Sequence, residues 1–75
     1  MPTVKIIGYG TGHEKVELTE LLRDALQLGM EESRKMTDAI MSGNVISLKF
    51  EDEEFANGLA QELADVGARV QVVED

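Results

Sequence analysis

Cysteine and tryptophan are absent from this 75-residue sequence, proline occurs once, and only three residues are aromatic. Without cysteine there is no disulfide and no thiolate metal site, so the fold must rest on packing. With Tyr9, Phe50 and Phe55 as the only rings, the interior must be built from Val, Ile, Leu, Ala and Met. No apolar run approaches the ~18 residues of a membrane span. The N-terminus, Met1-Pro2-Thr3-Val4-Lys5, shows no basic stretch followed by a long apolar one, so a cytoplasmic setting without a membrane partner is expected. Basic residues are scarce, seven against fifteen acidic, for a formal charge of −8. Such a surface repels nucleic acid and anionic lipid unless a local patch overrides it, so direct nucleic-acid binding is not expected. Four of the seven bases, Lys15, Arg23, Arg34 and Lys35, fall close together and form the one candidate patch.

The length accommodates a single domain, residues 1–75. A chain this short buries only about 60% of its unfolded surface. Residues 3–9 are rich in β-branched types and predict a strand, with Val4 and Ile6 on one face and Ile7 and Tyr9 on the other. After a loop over 10–14, Leu18, Leu21, Leu22, Ala25 and Leu26 recur at helical spacing and predict an amphipathic helix over about 15–28. Gly29 ends or bends it. Met30, Ser33, Met36, Thr37, Ile40 and Met41 continue a second stripe to about 42, stopped by Ser42-Gly43-Asn44. The methionines read as core, although a methionine-lined surface also suits a peptide groove.

Val45 to Phe50 predicts a second strand. Asp52 is a suitable N-cap, and Glu53 and Glu54 suit the positive end of the helix that follows. Its buried stripe runs Phe55, Ala56, Leu59, Ala60, Leu63 and Val66, and Gly67 ends it. Gly58 inside that helix costs about 1 kcal/mol against Ala, which close packing at that point would explain. Ala68 to Val73 makes the last strand. The order is β-α-α-β-α-β. The last strand–helix–strand unit demands a crossover between parallel strands. The first strand then fits between them, antiparallel to both. The expected fold is a two-layer α/β (α+β) domain, its three-stranded sheet in the order 2-1-3 with three helices on one face.

The stretch Ile6-Ile7-Gly8-Tyr9-Gly10-Thr11-Gly12-His13 invites a nucleotide-site reading, in which a small ligand binds the glycine loop 8–13. It has His where G-x-G-x-x-G has its third glycine, and it lacks the Lys-Ser/Thr of a P-loop. Glycines that permit a turn explain it more simply. His13 with Glu14 and Glu17 makes a poor metal site, since no second His and no Cys completes it. Neither a metal nor a cofactor is expected. Catalysis has no support either, because no nucleophile–base pair is visible.

Lys15-Val16 at the head of the first helix, Arg23 near its end, Leu28-Gly29-Met30, and Glu32-Ser33-Arg34 in the second helix resemble the C-terminal domain of the bacterial ribosomal stalk protein, the L-seven/L-twelve family. Of the family's Lys-Val, Arg, Leu-Gly-Leu and Glu-Ala-Lys, Lys15, Val16, Arg23, Leu28, Gly29 and Glu32 match without a gap, and Met30, Ser33 and Arg34 are mild substitutions for Leu, Ala and Lys. The segment Gly67-Ala68-Arg69-Val70-Gln71-Val72 is similar to its closing Gly-Ala-x-Val-x-Val. The resemblance covers nearly the whole chain and implies the same β-α-α-β-α-β fold. It also implies a binding module that recruits translational GTPases, such as elongation factors Tu and G, through the exposed face of helices 1 and 2. The contact residues it carries over are Lys15, Val16, Arg23 and Arg34.

Two departures bear on that reading. The family's dimerisation domain and hinge have no counterpart in this chain, so anchoring to a ribosome in the stalk's manner is not expected. Glu17, Glu20 and Glu31 replace residues that are commonly small or basic, which weakens the positive potential. The same architecture occurs in the Clp protease adaptor of the S type, so a peptide-binding adaptor is an alternative. That family's Asn-Asp pair and helical His are missing here.

Geometry places the same surface on view. In a helix at about 100° per residue, Leu18, Leu22 and Ala25 define the buried side, which leaves Val16, Glu20, Arg23 and Gln27 opposite. An uncovered Val beside Lys15 and Arg23 suits a protein anchor. The expected contact set is Lys15, Val16, Glu20, Arg23 and Arg34. The competing reading is a solvated face, with Glu20 paired to Arg23 and Glu31 to Arg34 or Lys35.

Overall fold

The computed structural model describes residues 1–10 and 15–74. Along the chain run β1 (Pro2–Tyr9), α1 (Lys15–Leu26), α2 (Met30–Met41), β2 (Ile46–Lys49), α3 (Glu53–Asp65) and β3 (Ala68–Glu74). β1 is the central strand and pairs antiparallel with both neighbours, so the sheet order is β2-β1-β3 and the two outer strands run parallel to each other. The three helices cover one face, as expected. Between the layers, Val4 and Ile6 meet Leu18 and Leu22 of α1, Ile40 of α2 and Leu63 of α3, all buried.

The face alternation along β1 differs from the expected one. Ile6 pairs with Val70, yet the next pair is Gly8 with Arg69, then Tyr9 with Ala68. Ile7 is an extra residue on β1, so Ile7 and Gly8 together stand opposite Arg69 in a β-bulge. A one-residue insertion inverts the parity of everything beyond it. Tyr9 therefore lies on the side of Val4 and Ile6 and packs against the core, while Ile7 is left 46% exposed.

All three helices stop in the same way. α1 ends at Leu26, two residues before the expected boundary, because Gln27 takes a left-handed conformation with φ of 53°. The Leu28 N–H then reaches back to the Arg23 carbonyl at 3.0 Å, satisfying an end carbonyl that would otherwise be orphaned. Gly43 at φ 94° and Gly67 at φ 99° fill the equivalent place after α2 and α3. Gly29 is the N-cap of α2 with φ of −71°, a conformation open to any residue. The Ser33 hydroxyl donates to the Gly29 carbonyl at 2.9 Å, tying the turn to the helix it starts. At α3 the Asp52 carboxylate accepts from the N–H groups of Glu54 and Phe55, the cap read from the sequence.

Several residues assigned to the core stand outside it. Phe55 is 42% exposed and rests edge-on against Phe50, with ring centroids 5.2 Å apart. Met30 and Met41 are exposed because they are the first and last residues of α2, while the helix buries Ser33, Thr37 and Ile40 between them. Val45, read from the sequence as the start of the second strand, lies exposed just before β2, which begins at Ile46. The expected close packing at Gly58 is absent: a Cβ built there meets nothing within 4 Å. Gly58 thus carries the helix cost of glycine with no steric reason for it. Gly58→Ala is expected to add about 1 kcal/mol of stability and raise the thermal midpoint by about 4–8 °C, read by circular dichroism. A lower midpoint would mean that the position is crowded after all.

Candidate functional site

α1 and α2 form an antiparallel helical hairpin across the turn at 27–29, and three contacts pin it from end to end. Lys15 Nζ lies 2.6 Å from Asp38 Oδ1 at one end. In the middle, the hydroxyls of Thr19 and Thr37 are hydrogen-bonded at 2.8 Å, and Thr19 Oγ1 also donates to the Lys15 carbonyl at 2.9 Å. At the other end Arg23 Nη1 donates to Met30 Sδ at 3.8 Å, a weak contact. As the position on α1 rises from 15 to 23, its partner on α2 falls from 38 to 30. The buried threonine pair matters most, since a hydroxyl taken out of water must find a partner and each of these serves the other.

On the solvent side of this hairpin lies a groove of about 460 Å³, lined by Lys15, Val16, Thr19, Glu20, Arg23, Met30 and Arg34. Leu18 and Leu22 point into the core and so turn Val16, Glu20 and Arg23 outward. Met30 and Arg34, one helical turn apart at the start of α2, form the opposite wall. The groove brings together Lys15, Val16, Glu20, Arg23 and Arg34, the five residues singled out from the sequence. Val16 is 57% exposed and Met30 48%, so two apolar side chains stand uncovered within a ring of three cations and one acid.

The charges pair differently from the expectation. Arg23 Nε approaches Asp24 Oδ1 at 3.8 Å, the next residue along, and not Glu20. Among the described residues neither Glu20 nor Arg34 enters an ion pair, and Glu31 pairs with neither Arg34 nor Lys35. Lys15 turns its ammonium to Asp38, so it contributes more to holding the helices together than to the potential over the groove. That pairing spans 23 residues, and no local pattern announces it. Thr19 and Met30 were also missed as lining residues. Thr19 lies one turn from Val16, a spacing that would have placed it at the groove floor; Met30 had been assigned to the core.

The arrangement can do one thing chemically without rearrangement. It can receive an apolar side chain against Val16 and Met30 while Arg23 and Arg34 meet acidic groups beside it. Among the described residues no three metal-ligating side chains converge. No helix there is long and apolar enough to cross a membrane. The phosphate-loop and metal readings fall partly on Thr11, Gly12, His13 and Glu14, which lie outside the described residues. Compared with known proteins, the chain matches no family model and no curated relative. The likeness to the stalk domain stands on the residues quoted for it.

Proposed function

We propose that this chain is a small, non-catalytic protein-interaction module of the cytoplasm that takes its partner in the groove between α1 and α2. The observation that supports this most directly is the exposed pair of Val16 and Met30 set among Arg23 and Arg34 on a chain whose net charge is −8. An exposed apolar pair rimmed by charge marks an interaction site, and a local cationic rim on an otherwise acidic surface directs it toward a partner that is acidic around an apolar anchor. A translational GTPase is the partner class implied by the resemblance to the stalk domain.

The test uses purified elongation factors Tu and G, with binding followed by titration calorimetry. Val16→Asp is expected to abolish binding and Arg23→Glu to weaken it, both while leaving the thermal midpoint nearly unchanged, since both side chains line the solvent side of the hairpin. Equal binding by these variants would remove the groove as the contact surface. Binding lost together with the melt would assign the two residues a structural role instead.

A further inference from the structure

We propose that the open face of the sheet is a second docking surface, fitted to an extended acidic segment of a protein. The helices cover one side of the sheet only, and of the side chains that alternate to the other side Thr3 is buried and Lys5 half-buried, while Ser47, Lys49, Arg69 and Gln71 are exposed. On that side Lys5 stands between Ser47 and Gln71, Lys49 lies opposite Thr3, and Arg69 lies opposite Gly8 at the bulge. Three of the chain's seven bases therefore share this face. None of the strand positions facing that way is acidic, although the chain holds fifteen acids. The acids are gathered elsewhere: α3 carries Glu53, Glu54, Glu62 and Asp65 and no base. The two sides of the molecule thus differ in the sign of their local charge. Among the described residues Lys5 and Arg69 enter no ion pair.

The register supplies the geometry. Arg69 lies two residues along β3 from Gln71, the partner of Lys5, and Lys49 lies two residues along β2 from Ser47, its other partner, in the opposite direction along β1. With strands about 4.8 Å apart and about 3.3 Å of rise per residue, the line Arg69–Lys5–Lys49 crosses the sheet diagonally in steps of about 8 Å. Alternate side chains of an extended peptide leave one face every ~7 Å. Carboxylates at every second position therefore match this line. The exposed Ile7 beside Arg69 offers an apolar stop at one end. Nucleic acid is the weaker fit. Recognition of single strands draws on aromatic stacking platforms, whereas Tyr9 packs against the core and Phe50 pairs with Phe55.

The probe is a fluorescein-labelled peptide alternating Glu and Thr, read by anisotropy at low salt and by amide shifts. Saturable binding is expected, with shifts at Lys5, Ser47 and Gln71. Lys5→Glu and Arg69→Glu are each expected to weaken it by at least about tenfold, and Lys5→Gln by less. Arg23→Glu, in the groove on the helical side, is expected to leave it unchanged, which separates this surface from the first. The proposal is overturned if Lys5→Glu binds like the parent, if the shifts fall on α1 and α2, or if an oligo-uridine RNA binds more tightly than the peptide.

Discussion

Leu63→Ala is expected to remove about 3 kcal/mol of stability and to lower the midpoint of thermal unfolding by about 12–24 °C. Leu63 is fully buried near the C-terminal end of α3, facing the sheet, in the cluster that holds Val4, Ile6 and Leu22. Truncation removes three buried carbons and leaves a void that surrounding elements can only partly close. A domain of this length holds roughly 4–11 kcal/mol in all, so this single change consumes a large part of it. Phe55→Ala is the informative comparison. It deletes a larger side chain from the same helix, but one that is already 42% exposed and leans on Phe50. Its cost should be about 1–2 kcal/mol, most of it from the lost ring pair and partial burial. Denaturant melts of the two variants check the ordering. A Phe55→Ala variant weaker than Leu63→Ala would place the true core on the other side of α3.

Reversing Arg23 and Arg34 together is expected to slow association with the proposed partner, a translational GTPase, by at least about tenfold at low salt. Charges at the rim of a contact act mainly on the encounter and less on the lifetime of the complex. The effect should fade in ~1 M salt, where the screening length falls to about 3 Å. Glu20 provides a control of opposite sign. Its carboxylate sits in the same groove without an ion-pair partner among the described residues. Glu20→Lys should therefore speed association if the groove works by attracting acids. Surface plasmon resonance at several ionic strengths gives all of these rates. A double reversal that leaves the on-rate untouched, or a Glu20→Lys variant that slows it, would show that the arginines serve only as solvated surface.

Where periodicity was long and uninterrupted, the sequence was a sound guide. The leucine stripe of α1 and the Leu59–Leu63 stripe of α3 lie where their spacing puts them. The cap at Asp52 and the stop at Gly67 follow from local chemistry that acts over a few residues. The candidate groove was legible for a related reason. Once a helix buries Leu18 and Leu22, its geometry leaves no choice about where Val16 and Arg23 point. What escaped was decided at the ends of elements and by contacts between them. Gln27 gives no glycine signal for the turn it makes. Met30 and Met41 have the right period for the core and lie at the helix termini.

The order of elements, the antiparallel placement of β1 between two parallel strands, and the outward face of α1 follow from the amino-acid pattern alone. Hydrophobic spacing and chain connectivity leave one simple way to bury those side chains. The tertiary structure alone decided the bulge at Ile7, which turns Tyr9 into the core. It also decided the pairing of Lys15 with Asp38 and of Thr19 with Thr37, and the gathering of Lys5, Lys49 and Arg69 along one diagonal. The physical reason is common to all three. Strand register and helix-to-helix contact join residues far apart in the chain, and no repeat of 2 or 3.6 residues carries that information.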